Sequence, residues 1–209
     1  MDEKVLAVKR KDLFGAQDEK KFDGFLPEGK FTLNEETMKK AVFIYRKVAK
    51  EGQLKPAEED EEYKQIIAYL ILTHKGKVFC YKRTEKAGEK RLHSNYSIGV
   101  GGHINPIDLE KKSDLIKKSM EREFEEEVLY TGEKKSRILG YINDDSNSVG
   151  RVHLGLVYEM ELANENVKLN EKELDEGNLL TLAEIREKYE QLENWSKITF
   201  DYLEKNWKN

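Results

Sequence analysis

The chain has 209 residues, which is long enough for one large domain or for a domain with an extension. Of these residues, 38% are hydrophobic and 37% are charged, a composition typical of a highly charged globular protein. Its 37 basic and 41 acidic residues give a net charge of −4, which argues against a general nucleic-acid-binding surface. The single cysteine, Cys80, excludes an intrachain disulfide framework, and its apolar neighbours favour a buried thiol over a nucleophile. No apolar segment approaches the roughly 20 residues of a membrane span, and the N-terminus has no apolar signal region, so we expect a cytoplasmic protein.

Residues 1–62 are expected to form an N-terminal extension that packs on a domain formed by residues 63–209. A short strand is predicted over residues 4–8, followed by a loop that contains several glycines. Residues 34–50 predict a helix, because an asparagine suited to the N-cap precedes apolar residues at helical spacing. The acidic run over residues 52–62 is the best candidate for a linker.

From residue 63 onward the sequence changes to apolar and alternating runs that are typical of strands. Strands are predicted over residues 65–73 and 78–83, joined by a tight turn, and again over residues 137–142 and 152–162. The last strand could extend to Leu169. A sheet is therefore expected to form most of this region.

The C-terminal residues predict helices. Thr181 and Glu184 form a capping box for a helix that reaches about Gln191, and an amphipathic helix follows from Trp195 to Leu203. Strands on both sides of a central helix, with further helices at the end, indicate an α/β fold with a mixed sheet between helices.

The central helix follows a glycine-rich turn, Gly99–Gly102, and carries one apolar stripe. At 100° per residue, the stripe contains Ile116, Met120, Phe124 and Val128. This spacing is typical of a helix packed on a core.

Three glutamates lie at the margin of that stripe. Glu123, Glu126 and Glu127 share one side of the helix, whereas Glu121 and Glu125 point to solvent. Like charges at this spacing oppose the helix by roughly 0.2–0.5 kcal/mol per pair. Carboxylates at the edge of a buried surface raise their pKa or recruit a hard cation such as Mg²⁺ or Mn²⁺. A solvated acidic face is the competing interpretation.

The glycine turn and the central helix together resemble the signature of Nudix hydrolases. That signature is a glycine, five residues, a glutamate, seven residues and then R-E-U-x-E-E-x-G-U, where U is bulky and apolar. Residues 122–127, REFEEE, match each specified position of the core and follow the Gly101-Gly102 pair. The segment SIGVGGHINP resembles the corresponding sequence in a poorly characterised bacterial branch of predicted Nudix phosphoesterases.

The sequence departs from the signature at several positions. Asp114 stands where the family has a glutamate, and Pro106–Lys112 is interpreted as a loop insertion. Leu129 replaces the usual glycine, and Gly132 follows three residues later. These departures concern the turns at both ends of the helix, and the carboxylates of the core are retained.

The resemblance implies a Nudix-like α/β/α sandwich with a mixed β-sheet and an N-terminal extension. It also implies hydrolysis of a diphosphate linkage in a nucleoside diphosphate derivative or a related compound, by attack of water on phosphorus with Mg²⁺ or Mn²⁺. The implied metal ligands are Glu123, Glu126, Glu127 and the backbone carbonyl of Gly101. Gly102 would shape the turn, and Arg122 would orient Glu126.

The resemblance leaves the general base open. Glu173, in a late acidic loop, is one candidate, with Glu171 and Glu176 behind it. In other family members the base lies on the signature helix, where Glu123 is the natural choice and Glu126 belongs to the same catalytic set. Arg83 and His103 are the positions implied for contact with substrate phosphates.

Two further classes of function stay open. A Nudix-like nucleotide sensor would bind without turnover, but such a module is favoured by a lost signature glutamate, and none of the glutamates of the REFEEE core is lost here. An isomerase acting on an isoprenoid diphosphate would need a cysteine near the glycine turn, and Cys80 is poorly placed for that.

Dimers are common in the family, so a homodimer is a further expectation. The identity of the substrate is not encoded in these motifs.

Overall fold

The computed structural model describes residues 3–31, 33–50, 52–83, 95–110, 115–170 and 177–207. The strands are β1 Lys4–Lys9, β2 Gly24–Pro27, β3 Val42–Tyr45, β4 Tyr63–His74, β5 Lys77–Lys82, β6 Tyr96–Ser97, β7 Val128–Leu129, β8 Lys134–Asn143, β9 His153–Leu162, β10 Lys168–Leu169 and β11 Asn178–Leu180. The α-helices are α1 Arg10–Phe14, α2 Glu35–Lys39, α3 Leu115–Glu127, α4 Ser148–Arg151, α5 Leu182–Arg186 and α6 Asn194–Asn206, with 3₁₀ turns at Pro106–Glu110 and Tyr189–Gln191.

The fold is α/β with a mixed sheet, as the sequence predicts. The strand order is β11-β5-β4-β9-β8-β2, and β1 pairs with both β3 and β4. The amide of Gln65 donates to the carbonyl of Val152 at 2.7 Å, and further along His74 Nδ1 contacts the carbonyl of Leu162 at 2.7 Å. Because the residue numbers rise together, β4 and β9 run parallel, whereas β4 and β5 form an antiparallel hairpin.

Two compact units make up the chain, and each is assembled from separate segments. The first unit contains Met1–Ala68, Gly102–Met120 and Gly140–Leu156, and the second contains Tyr69–Gly101, Glu121–Leu139 and Val157–Asn209. The first unit thus combines residues from both sides of residue 62. The division of the chain at that residue stays a prediction.

The core of the first unit joins the N-terminal strand to residues much later in the chain. Its buried side chains include Leu6, Ile66, Ile104, Leu115 and Leu154. Burial of each such aliphatic side chain contributes roughly 1.5–3 kcal/mol, which explains why residues before 62 fold onto residues beyond 100.

Three cations surround one carboxylate in the first unit. Asp145 accepts from Arg10 at 2.5 Å and from Lys64 at 2.6 Å, and Lys21 lies 3.0 Å away. Lys64 is fully buried and also donates to the carbonyl of Gly150 at 2.8 Å. Burial lowers the pKa of Lys64 to about 8. Desolvation opposes ionisation of Asp145, but the hydrogen bonds from the three cations outweigh it and hold its pKa well below the usual range.

In the second unit, β11 and β6 both pair with β5, and α6 supplies part of the core. Phe200 and Leu203 of α6 are buried, and the Trp195 ring meets the Tyr69 ring edge-on at 5.6 Å between centroids. The capping box of Thr181 and Glu184 is confirmed, although α5 ends at Arg186 and a separate 3₁₀ turn follows over Tyr189–Gln191.

The predicted helix over residues 34–50 is wrong beyond its first turns. The Asn34 side chain does cap α2, but the helix ends at Lys39 and β3 follows. The run Val42–Tyr45 consists of β-branched and aromatic residues, and it pairs antiparallel with β1. Pairing with a distant strand therefore overrides apolar spacing that also fits a helix. The glycine-rich loop before it contains β2, which pairs with β8 and was not predicted.

In the part of the chain that the structure describes, no helix is both long and apolar enough to cross a membrane. Cys80 is buried in β5, and burial raises the pKa of its thiol to about 12, consistent with the predicted structural role.

Candidate active site

Burial separates the glutamates of α3 in part as predicted. Met120 and Phe124 of the apolar stripe are buried, as is Val128 just after the helix, whereas Glu121 and Glu125 are exposed. Glu123 is buried with 8% relative exposure and Glu127 is half-buried, but Glu126 is exposed like Glu121 and Glu125. Only Glu123 and Glu127 therefore lie at the edge of the buried surface, because Glu126 is rotated further toward solvent.

Arg122 joins two of these carboxylates. Its Nη1 atom donates to Glu123 Oε1 at 2.8 Å and to Glu126 Oε2 at 3.0 Å. The expected contact with Glu126 is present, and the same nitrogen also serves Glu123. In this structure a guanidinium thus offsets the repulsion between like charges on the helix.

The glycine turn reaches the third carboxylate. The amide of Gly101 donates to Glu127 Oε2 at 3.3 Å, and Gly101 has a φ of +142°, which side-chain-bearing residues rarely adopt. Only glycine adopts this conformation without strain. The sequence predicts a role for the Gly101 carbonyl, and the contact that the structure describes is made by its amide.

A buried polar network anchors the same turn, and the sequence analysis missed it. The carbonyl of Gly99 accepts from the Tyr81 hydroxyl at 2.9 Å and lies 2.9 Å from Ser97 Oγ, and a Cβ at Gly99 would overlap the Tyr69 ring. Burial raises the pKa of Tyr69 and of Tyr81, so both phenols act as neutral donors. These contacts fix the backbone that leads into Gly101.

Glu193 connects this network to the start of α6. The buried carboxylate accepts from Ser97 Oγ at 2.7 Å and from Arg83 Nε at 2.9 Å. Ser196 Oγ accepts from the amide of Ile98 at 3.0 Å. The only sequence signal for this role is a glutamate directly before an amphipathic helix. A glutamate in that position is ordinarily a surface residue, so its burial could not be predicted.

The two residues expected to bind substrate phosphates have protein partners. Arg83 pairs with Glu193, as described above. His103 lies against His153, with 3.3 Å between their Nε2 atoms. The roles of Arg83 and His103 toward phosphate stay predictions.

Two predicted features lie outside the described residues. These are Glu173, with its neighbours Glu171 and Glu176, and Asp114 at the start of the signature. Asn170, the residue before the Glu173 segment, donates from its amide to the Glu127 carbonyl at 2.8 Å and from Nδ2 to the Glu126 carbonyl at 3.1 Å. The described chain therefore enters that segment from the end of the carboxylate helix.

The departures from the signature have local explanations where they are described. The residues Pro106–Glu110 of the insertion form a 3₁₀ turn. Leu129 does not need a glycine conformation, because it lies in β7 and pairs with Lys168 of β10 in extended geometry. Gly102 contributes its carbonyl to a hydrogen bond from Ala68 at 3.2 Å.

The residues fit a hard divalent cation by donor chemistry. Glu123, Glu126 and Glu127 supply carboxylate oxygens, which Mg²⁺ and Mn²⁺ prefer, and two of them already converge on one positively charged nitrogen. Within the described ranges, no three acidic, histidine or cysteine side chains surround a common point. A cation held by Glu123 and Glu126 would compete with Arg122 for their oxygens.

A mixed sheet, a glycine turn and a carboxylate helix joined to that turn define a Nudix-type protein. No protein-family model matches the chain. It is, however, 36% identical over 210 residues to Protein YmaB of Bacillus subtilis (strain 168), with 98% of both chains covered. It also matches the crystal structure of Tm1382, described as a candidate Nudix hydrolase, with 30% identity, a TM-score of 0.73 and coverage of 96% of this chain and 98% of that one. The chain belongs to the Nudix hydrolase superfamily.

A more distant structure shares the fold alone. The NUDIX domain of Shewanella oneidensis NrtR, in complex with ADP ribose, is 11% identical to this chain, with a TM-score of 0.54. The match covers 69% of this chain and 89% of that domain.

Proposed function

We propose that the protein is a metal-dependent hydrolase that cleaves a diphosphate linkage in a nucleoside diphosphate derivative or a related small molecule. The observation that carries this proposal is the junction of the glycine turn with α3, where Gly101 contacts Glu127 and Arg122 gathers Glu123 and Glu126. Retention of all three carboxylates favours turnover over a sensor that only binds.

Glu123, Glu126 and Glu127 would hold Mg²⁺ or Mn²⁺ together with the Gly101 carbonyl. When bound, the cation neutralises the diphosphate charge, polarises phosphorus and lowers the pKa of water. The absence of a side chain at Gly101 leaves its backbone accessible to a cation. Arg122 would release the two carboxylates that it joins and remain beside them as a positive charge.

The general base is proposed to be either Glu173 or Glu123, the two alternatives that follow from the sequence. Glu173 is supported by the bonds from Asn170 to the backbone of Glu126 and Glu127, because these bring the chain to the carboxylates just before the segment that contains Glu173. Glu123 is supported by its position, because it is the buried carboxylate among the three glutamates on α3. Arg83 and His103 are kept as candidate phosphate contacts.

The test is a screen of purified protein with Mg²⁺ or Mn²⁺ against nucleoside diphosphate derivatives, dinucleoside polyphosphates and nonnucleotide diphosphates, scored by phosphate release. ADP ribose, the ligand of the distant NrtR domain, is one member. The matched variants are Glu127→Gln, at the margin, and Glu125→Gln, exposed on the same helix. We expect Glu127→Gln to lose at least a hundredfold in turnover and Glu125→Gln to retain it.

Turnover that survives saturating chelator would contradict the metal requirement. Binding of a diphosphate without hydrolysis, unchanged in Glu127→Gln, would instead support the sensor alternative. A cytoplasmic location and a homodimer stay predictions from the sequence.

A further inference from the structure

A second group of metal-binding side chains lies in the first unit. The Nε2 atoms of His103 and His153 are 3.3 Å apart, and their ring centroids are separated by 5.4 Å at an interplanar angle of 62°. His153 is buried and His103 is half-buried. Two imidazoles therefore point ring nitrogens at each other in a largely enclosed place.

The other nitrogen of His153 fixes which atom can bind a cation. Nδ1 of His153 lies 2.7 Å from the carbonyl oxygen of Val149, which can only accept, so Nδ1 carries the proton and donates. In the neutral ring the lone pair is then on Nε2, the atom that faces His103. A histidine that donates Nδ1–H to a backbone carbonyl is the usual arrangement for a metal ligand that binds through Nε2.

The separation of the two nitrogens has the value expected for two ligands of one ion. Two Zn–N bonds of about 2.0–2.1 Å at the tetrahedral angle place their nitrogens about 3.3–3.4 Å apart. The Nε2 atoms of His103 and His153 are 3.3 Å apart, a distance at which they also form a direct hydrogen bond when no ion is bound. An ion would therefore replace that hydrogen bond with little movement of either ring.

An unsatisfied amide supplies an independent indication of a ligand here. The Gln65 side chain is fully buried, and neither Nε2 nor Oε1 has a hydrogen-bond partner within the described residues. Because the Gln65 amide bonds to the Val152 carbonyl in a parallel pair, Gln65 lies opposite His153. Ile67, two residues along β4, bridges to His103. By strand alternation, Gln65, His103 and His153 project from the same face of the sheet.

We propose that His103 and His153 form a site for a borderline transition-metal ion of the Zn²⁺ type, with the Gln65 amide available to the ion or to a water bound to it. The ion would link β9 to the segment after the glycine turn. The ligand chemistry differs from that of the carboxylates of α3, because imidazole nitrogen suits Zn²⁺ whereas carboxylate oxygen suits Mg²⁺. The neighbouring residues Ile66, Ile104 and Leu154 alternate with its members and pack on Leu115, at the start of α3, on the other face.

The experiment is a Zn²⁺ titration of the full-length, chelator-treated protein in excess Mg²⁺, using competition with a chromophoric chelator and thermal unfolding. The matched variants are His153→Ala and His74→Ala. Both remove a buried imidazole whose Nδ1 contacts a backbone carbonyl at 2.7 Å, but among the described residues only His153 has a second histidine beside it. We expect one Zn²⁺ per chain, a rise in melting temperature, and at least a tenfold weaker affinity in His153→Ala only.

A measurement on the wild-type chain covers the case in which a variant does not fold. Nitrogen-15 labelling of the histidines should show Zn²⁺ shifting the Nε2 resonances of two rings, and Co²⁺ should give the absorption of a four-coordinate site. Equal Zn²⁺ affinity in all three proteins, or Zn²⁺ that moves no histidine resonance, would overturn the proposal. Neither readout depends on hydrolysis, so the proposed function stands or falls separately.

Discussion

The amide of Gly101 donates a hydrogen bond of 3.3 Å to Oε2 of Glu127, and this bond ties the glycine turn to the last residue of α3. Gly101 has a φ of +142°, a backbone conformation that is available almost only to glycine. The turn that contacts Glu127 therefore depends on the absence of a side chain at residue 101.

Substitution Gly101→Ala tests this relationship. We expect about 1–3 kcal/mol of lost stability from the strained φ and at least a tenfold fall in hydrolysis, because the turn shifts from Glu127. The control is Gly76→Ala in the β4–β5 hairpin, where φ is +76° and a Cβ meets no other atom. Urea unfolding and turnover separate the two effects: both variants should lose stability, and only Gly101→Ala should lose activity. Equal activity in both would refute the positional role.

Arg122→Ala removes the nitrogen shared by Glu123 and Glu126. Without divalent cations we expect a loss of about 1 kcal/mol, since two like-charged carboxylates lose their common donor. If Mg²⁺ takes the place of Arg122 between these carboxylates, it should raise the melting temperature of the variant more than that of the wild type. Arg151→Ala, which breaks an exposed pair with Glu61 at 2.7 Å, serves as the control and should show the same Mg²⁺ shift as the wild type. An equal Mg²⁺ shift in all three proteins would argue against a metal between Glu123 and Glu126.

The sequence predicted what depends on local spacing and missed what depends on distant partners. The glutamates of α3 and the capping box at Thr181 follow from residues within a few positions of one another, so their geometry is readable along the chain. The ion pair of Arg83 with Glu193 joins residues 110 positions apart, and no local pattern signals it. Likewise β3 forms because β1 is available to pair with it, although its own spacing also fits a helix.

Asp145 gives the protein a specific acid sensitivity. Its pKa is held below the usual range in the folded state by Arg10, Lys64 and Lys21, so the unfolded chain binds a proton more readily. The stabilisation is therefore complete above the unfolded pKa of about 3.9 and is lost as pH falls toward the lower folded value. Asp145→Asn should cost about 3 kcal/mol at neutral pH, because three cations lose one carboxylate. Its unfolding free energy, measured by urea titration from pH 7 down to acid, should depend less on pH than that of the wild type.

Lys64 adds a contribution of the same sign in a different pH range, because its pKa is also lowered on folding. Its folded pKa of about 8 lies below the ordinary lysine value of 10.5, so the unfolded chain binds more protons between these values. Stability should rise with pH in that window, and Lys64→Met should remove the rise. A wild-type unfolding free energy that falls steadily from pH 8 to 10 would show that Lys64 stays charged in the fold.

Leu129→Gly restores the residue that the Nudix signature has at this position, and we expect it to lower the free energy of unfolding. Leu129 pairs with Lys168 in extended geometry and has 52% relative exposure, so the position gains nothing from conformational freedom and loses little apolar burial. The informative comparison is with Leu129→Ala, since the step from alanine to glycine isolates the backbone entropy, roughly 0.5–1 kcal/mol. Urea unfolding of both variants measures it. If the glycine variant equals or exceeds the alanine variant in stability, the chain after α3 adopts the turn typical of the family rather than the β7–β10 pair.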